Sequence, residues 1–152
     1  MVSRRTFLAQ TTGVVAGMAA VRSAFATAPT AITVYKSSTC ECCAKWVDHI
    51  KANGFAPSVH DEEDMTSLKD DMGVPQGVRS CHTALVDRYL IEGHVPAADI
   101  RRLLAERPKV AGLAVPGMPA SSPGMAMPGA PVVPYEVVAF TTSGATSVYA
   151  KH

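Results

Sequence analysis

Three of the chain's four cysteines, Cys40, Cys42 and Cys43, fall within four positions of the stretch Thr39-Cys40-Glu41-Cys42-Cys43-Ala44-Lys45-Trp46. Cys40 and Cys43 alone have the C-x-x-C spacing of a thiol–disulfide exchange pair. Cys42 between them would give a dithiol enzyme side reactions, but it would give a soft metal a further ligand. Further along the chain, Cys81 and His82 add a fourth thiol and an imidazole, and Met118, Met125 and Met127 add thioethers. Thioethers are poor ligands for zinc and good ones for Cu(I), so the residue types favour copper. Thiol redox chemistry at Cys40/Cys43 stays open as the alternative, and a structural Cys3His zinc site ranks third, because such sites join separate ligand pairs across a loop.

These side chains need elements to bring them together. Ala31 to Tyr35 is a β-branched and aromatic run that predicts a strand. Cys43, Trp46, Val47 and Ile50 recur at helical spacing and predict a helix stopped by Asn53-Gly54. The cysteines then sit at that helix's N-terminus, where unpaired amides and the helix dipole favour thiolates. Phe55 to His60 predicts a second strand, held to an edge or to its first residues by Pro57. Met65, Leu68 and Met72 predict a short helix closed by Gly73, with these methionines as core filler. Thr83 to Val86 and Tyr89 to Glu92 predict a hairpin turning at Asp87-Arg88. Pro96 predicts the first turn of a helix carrying Ile100, Leu103 and Leu104, which ends at Pro108. The order β-α-β-α-β-β-α implies an α/β fold, a thioredoxin-like mixed sheet flanked by helices.

After Leu113 the composition changes. Residues 114–134 hold six prolines, at 116, 119, 123, 128, 131 and 134, and predict a Pro/Met-rich loop without regular structure. Tyr135 to Phe140 and Thr146 to Ala150 predict a C-terminal β-hairpin. His94, after Gly93 at a strand end, is a further candidate ligand. Each of these residues also has a plain reading: a lone methionine is more often packing than a ligand, and a histidine at a helix entry can simply be solvated or hydrogen-bonded. His49, His60 and His152 read as surface residues, as does Glu41, while Trp46 reads as the helix's core anchor. The acidic run Asp61 to Asp64 has no calcium-loop spacing.

The first residues read as an address. Ser3-Arg4-Arg5-Thr6-Phe7-Leu8 resembles a twin-arginine export motif, followed by an uncharged run, Thr11 to Val21, too short to span a bilayer, and by the cleavage site Ala24-Phe25-Ala26. Residues 1–26 are thus expected to be removed in the periplasm, leaving 27–152 as one domain with all four cysteines. The whole chain carries net charge +1. Losing Arg4, Arg5 and Arg22 leaves 11 basic against 13 acidic residues, which argues against nucleic acid and against stable membrane association.

Cys40-Glu41-Cys42-Cys43-Ala44-Lys45-Trp46, the segment Gly73 to Ala84, the segment Tyr89 to Ile100 and the segment Gly112 to Met125 together resemble the CopG-like family of periplasmic copper-resistance proteins. The match runs in order over Ile32 to Met125. The resemblance implies a thioredoxin-like fold, a C-x-C-C copper site and a role in copper handling or Cu(I)/Cu(II) interconversion, near copper-efflux and copper-oxidase components. Carried over by position, the metal ligands it implies are Cys40, Cys42, Cys43, Cys81, His82, His94, Met118 and Met125. The expected metal is copper, as Cu(I) with Cu(II) as a second state, held by clustered thiolates that can bridge several ions. No catalytic residue is assigned. The chain departs from the family's usual pattern at Glu41 and Arg88, where relatives often carry glycine.

Overall fold

The computed structural model describes residues 28–152; the expected export signal, residues 1–26, lies outside them. Strand β1 (Thr30–Lys36) alternates exposed or half-buried residues with the buried Ile32, Val34 and Lys36, the period of a strand with one core-facing side. It pairs in parallel with β2 (Phe55–Asp61) and antiparallel with β3 (His82–Val86), which forms a hairpin with β4 (Tyr89–Glu92). The sheet continues through β5 (Gly112–Ala114), parallel to β4, into the antiparallel β6 (Glu136–Phe140) and β7 (Thr146–Lys151). The strand order is β2-β1-β3-β4-β5-β6-β7, so Pro57 lies on an edge strand, where a missing N–H is tolerated. With the three α-helices among the described residues, this is the mixed α/β architecture expected of the chain.

Helix α1 (Glu41–Ala52) buries Cys43, Trp46, Val47 and Ile50, the stripe read from the sequence, and ends at Asn53. Trp46 is fully buried, and its indole Nε1 donates to the Val95 carbonyl at 2.9 Å. A side chain of this size contributes on the order of 2–3 kcal/mol by burial, and the indole bond ties α1 to the segment that follows β4.

Helix α2 (Met65–Asp71) is capped by Asp64, which accepts from the Thr66 and Ser67 amides, but its core-facing residue differs from the expected one. Lys69 is the buried residue, while Met65, Leu68 and Met72 are half-buried. Helix α3 (Ala97–Glu106) begins one residue after Pro96, which serves as N-cap rather than as a first-turn residue. Between β3 and β4 the positive φ falls on Asp87, so Arg88 needs no glycine-like conformation.

The sequence pattern missed β5, a strand of three residues. It closes against β4 because residue 112 is glycine: a Cβ there would lie 1.9 Å from the Leu90 carbonyl oxygen. Residues 115–135 hold no helix or strand, as expected of the Pro/Met-rich segment, and β6 and β7 form the expected C-terminal hairpin. His152 is less free than its terminal position suggested. Its backbone exchanges two hydrogen bonds with Tyr135, and its Nε2 sits 2.7 Å from Asp99 on α3. His49 also departs from the surface reading: its Nε2 accepts the Ala97 amide at 3.1 Å, occupying one of the unpaired N–H groups at the start of α3.

Candidate metal centre

The turn after β1 delivers the first three thiols. Cys40 donates its amide to the Ser37 carbonyl and occupies the N-cap of α1 without capping the helix by its side chain. Cys42 and Cys43 therefore lie in the first turn, at the positive end of the helix. Cys43 is buried and bonded to Cys40 in a disulfide; Cys42 and Cys81 are free, each half-buried. Cys42 Sγ lies 3.6 Å from Cys40 Sγ. The expectation of thiolates at all three clustered positions therefore changes, because the disulfide occupies two of the sulfurs.

The start of β3 and the end of β4 supply the opposite wall. Cys81 precedes β3, His82 opens it, and His94 follows β4 by two residues. Ligand atoms of Cys40, Cys42, Cys43 and Cys81 all lie within 4.8 Å of one another, as do those of Cys81, His82 and His94. Cys81 is common to both groups. A sulfur-rich set and a nitrogen-rich set thus meet at one thiol.

Hydrogen bonding fixes the histidines. His94 Nδ1 lies 2.7 Å from the Pro123 carbonyl, which can only accept, so Nδ1 carries the proton. His94 Nε2 is left with its lone pair, 2.9 Å from Cys81 Sγ. This is how metal-binding imidazoles are commonly oriented, with one ring nitrogen donating to a carbonyl and the other free to ligate. His82 is fully buried, packs tilted against Trp46 with ring centroids 4.3 Å apart, and places Nδ1 3.5 Å from Cys81 Sγ. Its buried Nε2 has no hydrogen-bond partner among the described residues. A buried imidazole whose Nδ1 faces a thiol, with a second imidazole and three further sulfurs nearby, is a donor set that suits a soft or borderline metal.

Burial sets the protonation states. It drives His82 well below its ordinary range, with the neighbouring His94 and Lys69 adding to the effect, and it lowers His94 as well. Both imidazoles are therefore neutral at pH 7, the form that ligates. Burial, reinforced by Cys42, pushes the Cys81 thiol up to about 11. Without a metal, Cys81 keeps its proton and donates it to His94 Nε2.

The Pro/Met-rich segment closes over this group. Gly124 (φ +88°) packs so tightly that a Cβ there would lie 2.8 Å from the Cys42 carbonyl oxygen and 2.9 Å from the Trp46 nitrogen. A cleft of about 540 Å³ opens between the segment and α1, lined by Cys40, Cys42, Met118, Met125 and Met127 with Thr39, Glu41, Lys45 and Gly124. Met118 and Met125 thus share a cleft with the cysteine turn, and Met127, 72% exposed, stands beside them. Cys40, Cys42, Cys43, Cys81, His82 and His94 converge as ligand groups, whereas the methionines line the approach.

Two solved structures of copper resistance protein CopG, Form 1 and Form 2, are each 48% identical to this chain. Each match covers 82% of this chain and 98% of the other, with a TM-score of 0.76. The chain belongs to the CopG-like family. A family described as "Protein of unknown function, DUF411" also matches, over residues 78–125, and no match is found among curated proteins. That span of the CopG-like chain contains Cys81, His82, His94, Met118 and Met125 but not the cysteine turn. Sequence reasoning missed two features of the CopG-like site: the Pro123 carbonyl that orients His94, and a buried Lys69–Glu92 ion pair behind Cys81. Among the described residues no helix is long and apolar enough to cross a membrane.

Proposed function

We propose that this is a periplasmic copper-binding protein of copper resistance and homeostasis, taking Cu(I) as its cargo through Cys40, Cys42, Cys43 and Cys81, with His82, His94, Met118 and Met125. The observation that carries the reading is the placement of Cys81, shared by a four-sulfur group and a Cys/His/His group. Four thiolates this close can bridge more than one Cu(I), and the nitrogen donors suit Cu(II) as a second state. The full sulfur set is open only after an external dithiol has reduced the Cys40–Cys43 disulfide to two thiols, itself leaving as a disulfide. The copper-resistance name of the two similar structures supports the choice of metal. Cleavage after Ala26 would leave residues 27–152 as a single thioredoxin-like domain, with efflux or oxidase components as exchange partners.

The test is an anaerobic Cu(I) titration of the reduced protein against a competing chelator. The wild type should retain copper stoichiometrically, and Cys42→Ser should lose it. Equal loss of copper from both would remove the reading. A second reading, thiol–disulfide oxidoreductase, is favoured by the Cys40–Cys43 disulfide at the start of α1. It requires metal-free disulfide turnover that Cys40→Ser abolishes and Cys42→Ser leaves intact. Zinc ranks below both, since a structural zinc would have to resist Cu(I) competition and unfold the chain on removal.

A further inference from the structure

Behind Cys81 lies a charged pair that no ligand set uses. Lys69, the one buried residue of α2, reaches Glu92 Oε1 at 2.5 Å, and their side chains are 6% and 0% exposed. Glu92 ends β4, two residues before His94, and both of its oxygens are engaged. Oε1 also accepts the Ser80 amide at 2.6 Å, and Oε2 accepts the Thr83 hydroxyl at 2.6 Å. Lys69 donates in addition to Thr83 Oγ1 at 2.8 Å. Ser80, the residue before Cys81, is held at its other end as well, where its hydroxyl donates to the Gly117 carbonyl at 2.7 Å.

Burying two charges is costly, and an apolar pair of similar volume is often neutral or better for stability. Both carboxylate oxygens of this pair accept from the backbone and side chains around Cys81 and His82. One carboxylate thus joins the end of β4, from which His94 follows, to the residue from which Cys81 follows. The Cys81 Sγ to His94 Nε2 approach of 2.9 Å is made between these two chain segments.

We propose that Glu92, charge-balanced by Lys69, is a positioning residue: by holding the Ser80 amide it fixes the backbone from which Cys81 faces His94. The part of this inference that concerns copper rests on the copper reading above; the part that concerns the Ser80–Cys81 backbone does not.

The test compares two double variants of the whole protein with wild type. Lys69→Met/Glu92→Leu removes both charges and the acceptor for Ser80. Lys69→Met/Glu92→Gln removes both charges but keeps a carbonyl for the Ser80 amide and a donor for Thr83. Two quantities are read: hydrogen exchange at the Ser80 amide in metal-free protein, and Cu(I) retention against a chelator. Loss of one buried hydrogen bond should speed Ser80 exchange in the Leu variant on the order of tenfold, with β1 amides unchanged. Cu(I) affinity should fall roughly 10- to 100-fold, the range for lost outer partners of metal ligands. The Gln variant should restore both.

Ser80 exchange as slow in the Leu variant as in wild type would overturn the proposal. So would a Gln variant whose Ser80 amide exchanges as fast as the Leu variant's. If the Leu variant does not fold, the Gln variant decides alone: wild-type Ser80 protection supports the proposal and its loss overturns it. If wild type itself retains no Cu(I), the copper reading fails while the exchange measurement still decides the positioning role.

Discussion

Substituting Gly124 by alanine tests whether the Pro/Met-rich segment sets the state of the imidazoles and thiols beneath it or only covers them. At φ +88° an alanine pays about 1–2 kcal/mol for its left-handed backbone. Its Cβ would also overlap the Cys42 carbonyl oxygen at 2.8 Å and the Trp46 nitrogen at 2.9 Å, both backbone atoms of α1 that cannot rotate away. The segment must then lift, and the adjacent Pro123 carbonyl leaves His94 Nδ1, a loss of about 1 kcal/mol. Together these cost roughly 2–3 kcal/mol, or a fall in Tm on the order of 10 °C for a domain of this size. Thermal unfolding of the metal-free protein measures the first effect. The nitrogen chemical shifts of His94 measure the second, since an imidazole released from Pro123 exchanges its proton between Nδ1 and Nε2. A Tm within about 2 °C of wild type, with Nδ1 still carrying the proton, would refute the reasoning, because the close packing would then impose no constraint.

Two further expectations follow from the same geometry. His49, His82 and His94 all titrate below the ordinary 6.5 in the folded chain, in each case chiefly through burial. Between the folded and unfolded values the unfolded chain binds more protons, so the stability of the metal-free protein is fully present above pH 6.5 and is lost as the pH falls below it. Denaturant midpoints measured from pH 7.5 down to 5 should decrease, and an increase would contradict the burial argument. Met118→Leu/Met125→Leu preserves volume and should change metal-free stability by less than about 1.5 kcal/mol, while speeding Cu(I) loss to a chelator. Unchanged copper loss would reduce the thioethers to lining.

What could be read from the sequence was periodic or local. The α1 stripe is contiguous, so its helix and its buried face both followed from spacing, and Cys40 at the N-cap came with them. The hairpin of β3 and β4 placed Cys81 and His94 at neighbouring strand ends for the same reason. Lys69 shows where such reasoning stops. It falls at helical spacing between Met65 and Met72, squarely on the inner face, yet a lysine there reads as exposed until its partner is known. That partner, Glu92, is 23 residues away on another element. His49, His152 and the Pro123 carbonyl were hidden in the same way, each defined by a contact across the fold. The three residues of β5 carry too little pattern to register, and only the missing Cβ of Gly112 hints at how closely they pack.

The attachment of the Pro/Met-rich segment has a consequence for how such a chain can diversify. Its two ends leave β5 and enter β6, strands paired antiparallel with Ala114 opposite Val138. The ladder itself thus closes the loop, and lengthening a closed loop is cheap, about 0.6 kcal/mol for each doubling. The contacts around Pro123 and Gly124 pin the interior, together with the Gly117 carbonyl that accepts from the Ser80 hydroxyl. Away from these pins, residues can be inserted, removed or exchanged without touching the sheet. The segment is thus an interchangeable cassette in which thioether number and reach can be altered while the thiols and imidazoles beneath stay where the strands put them.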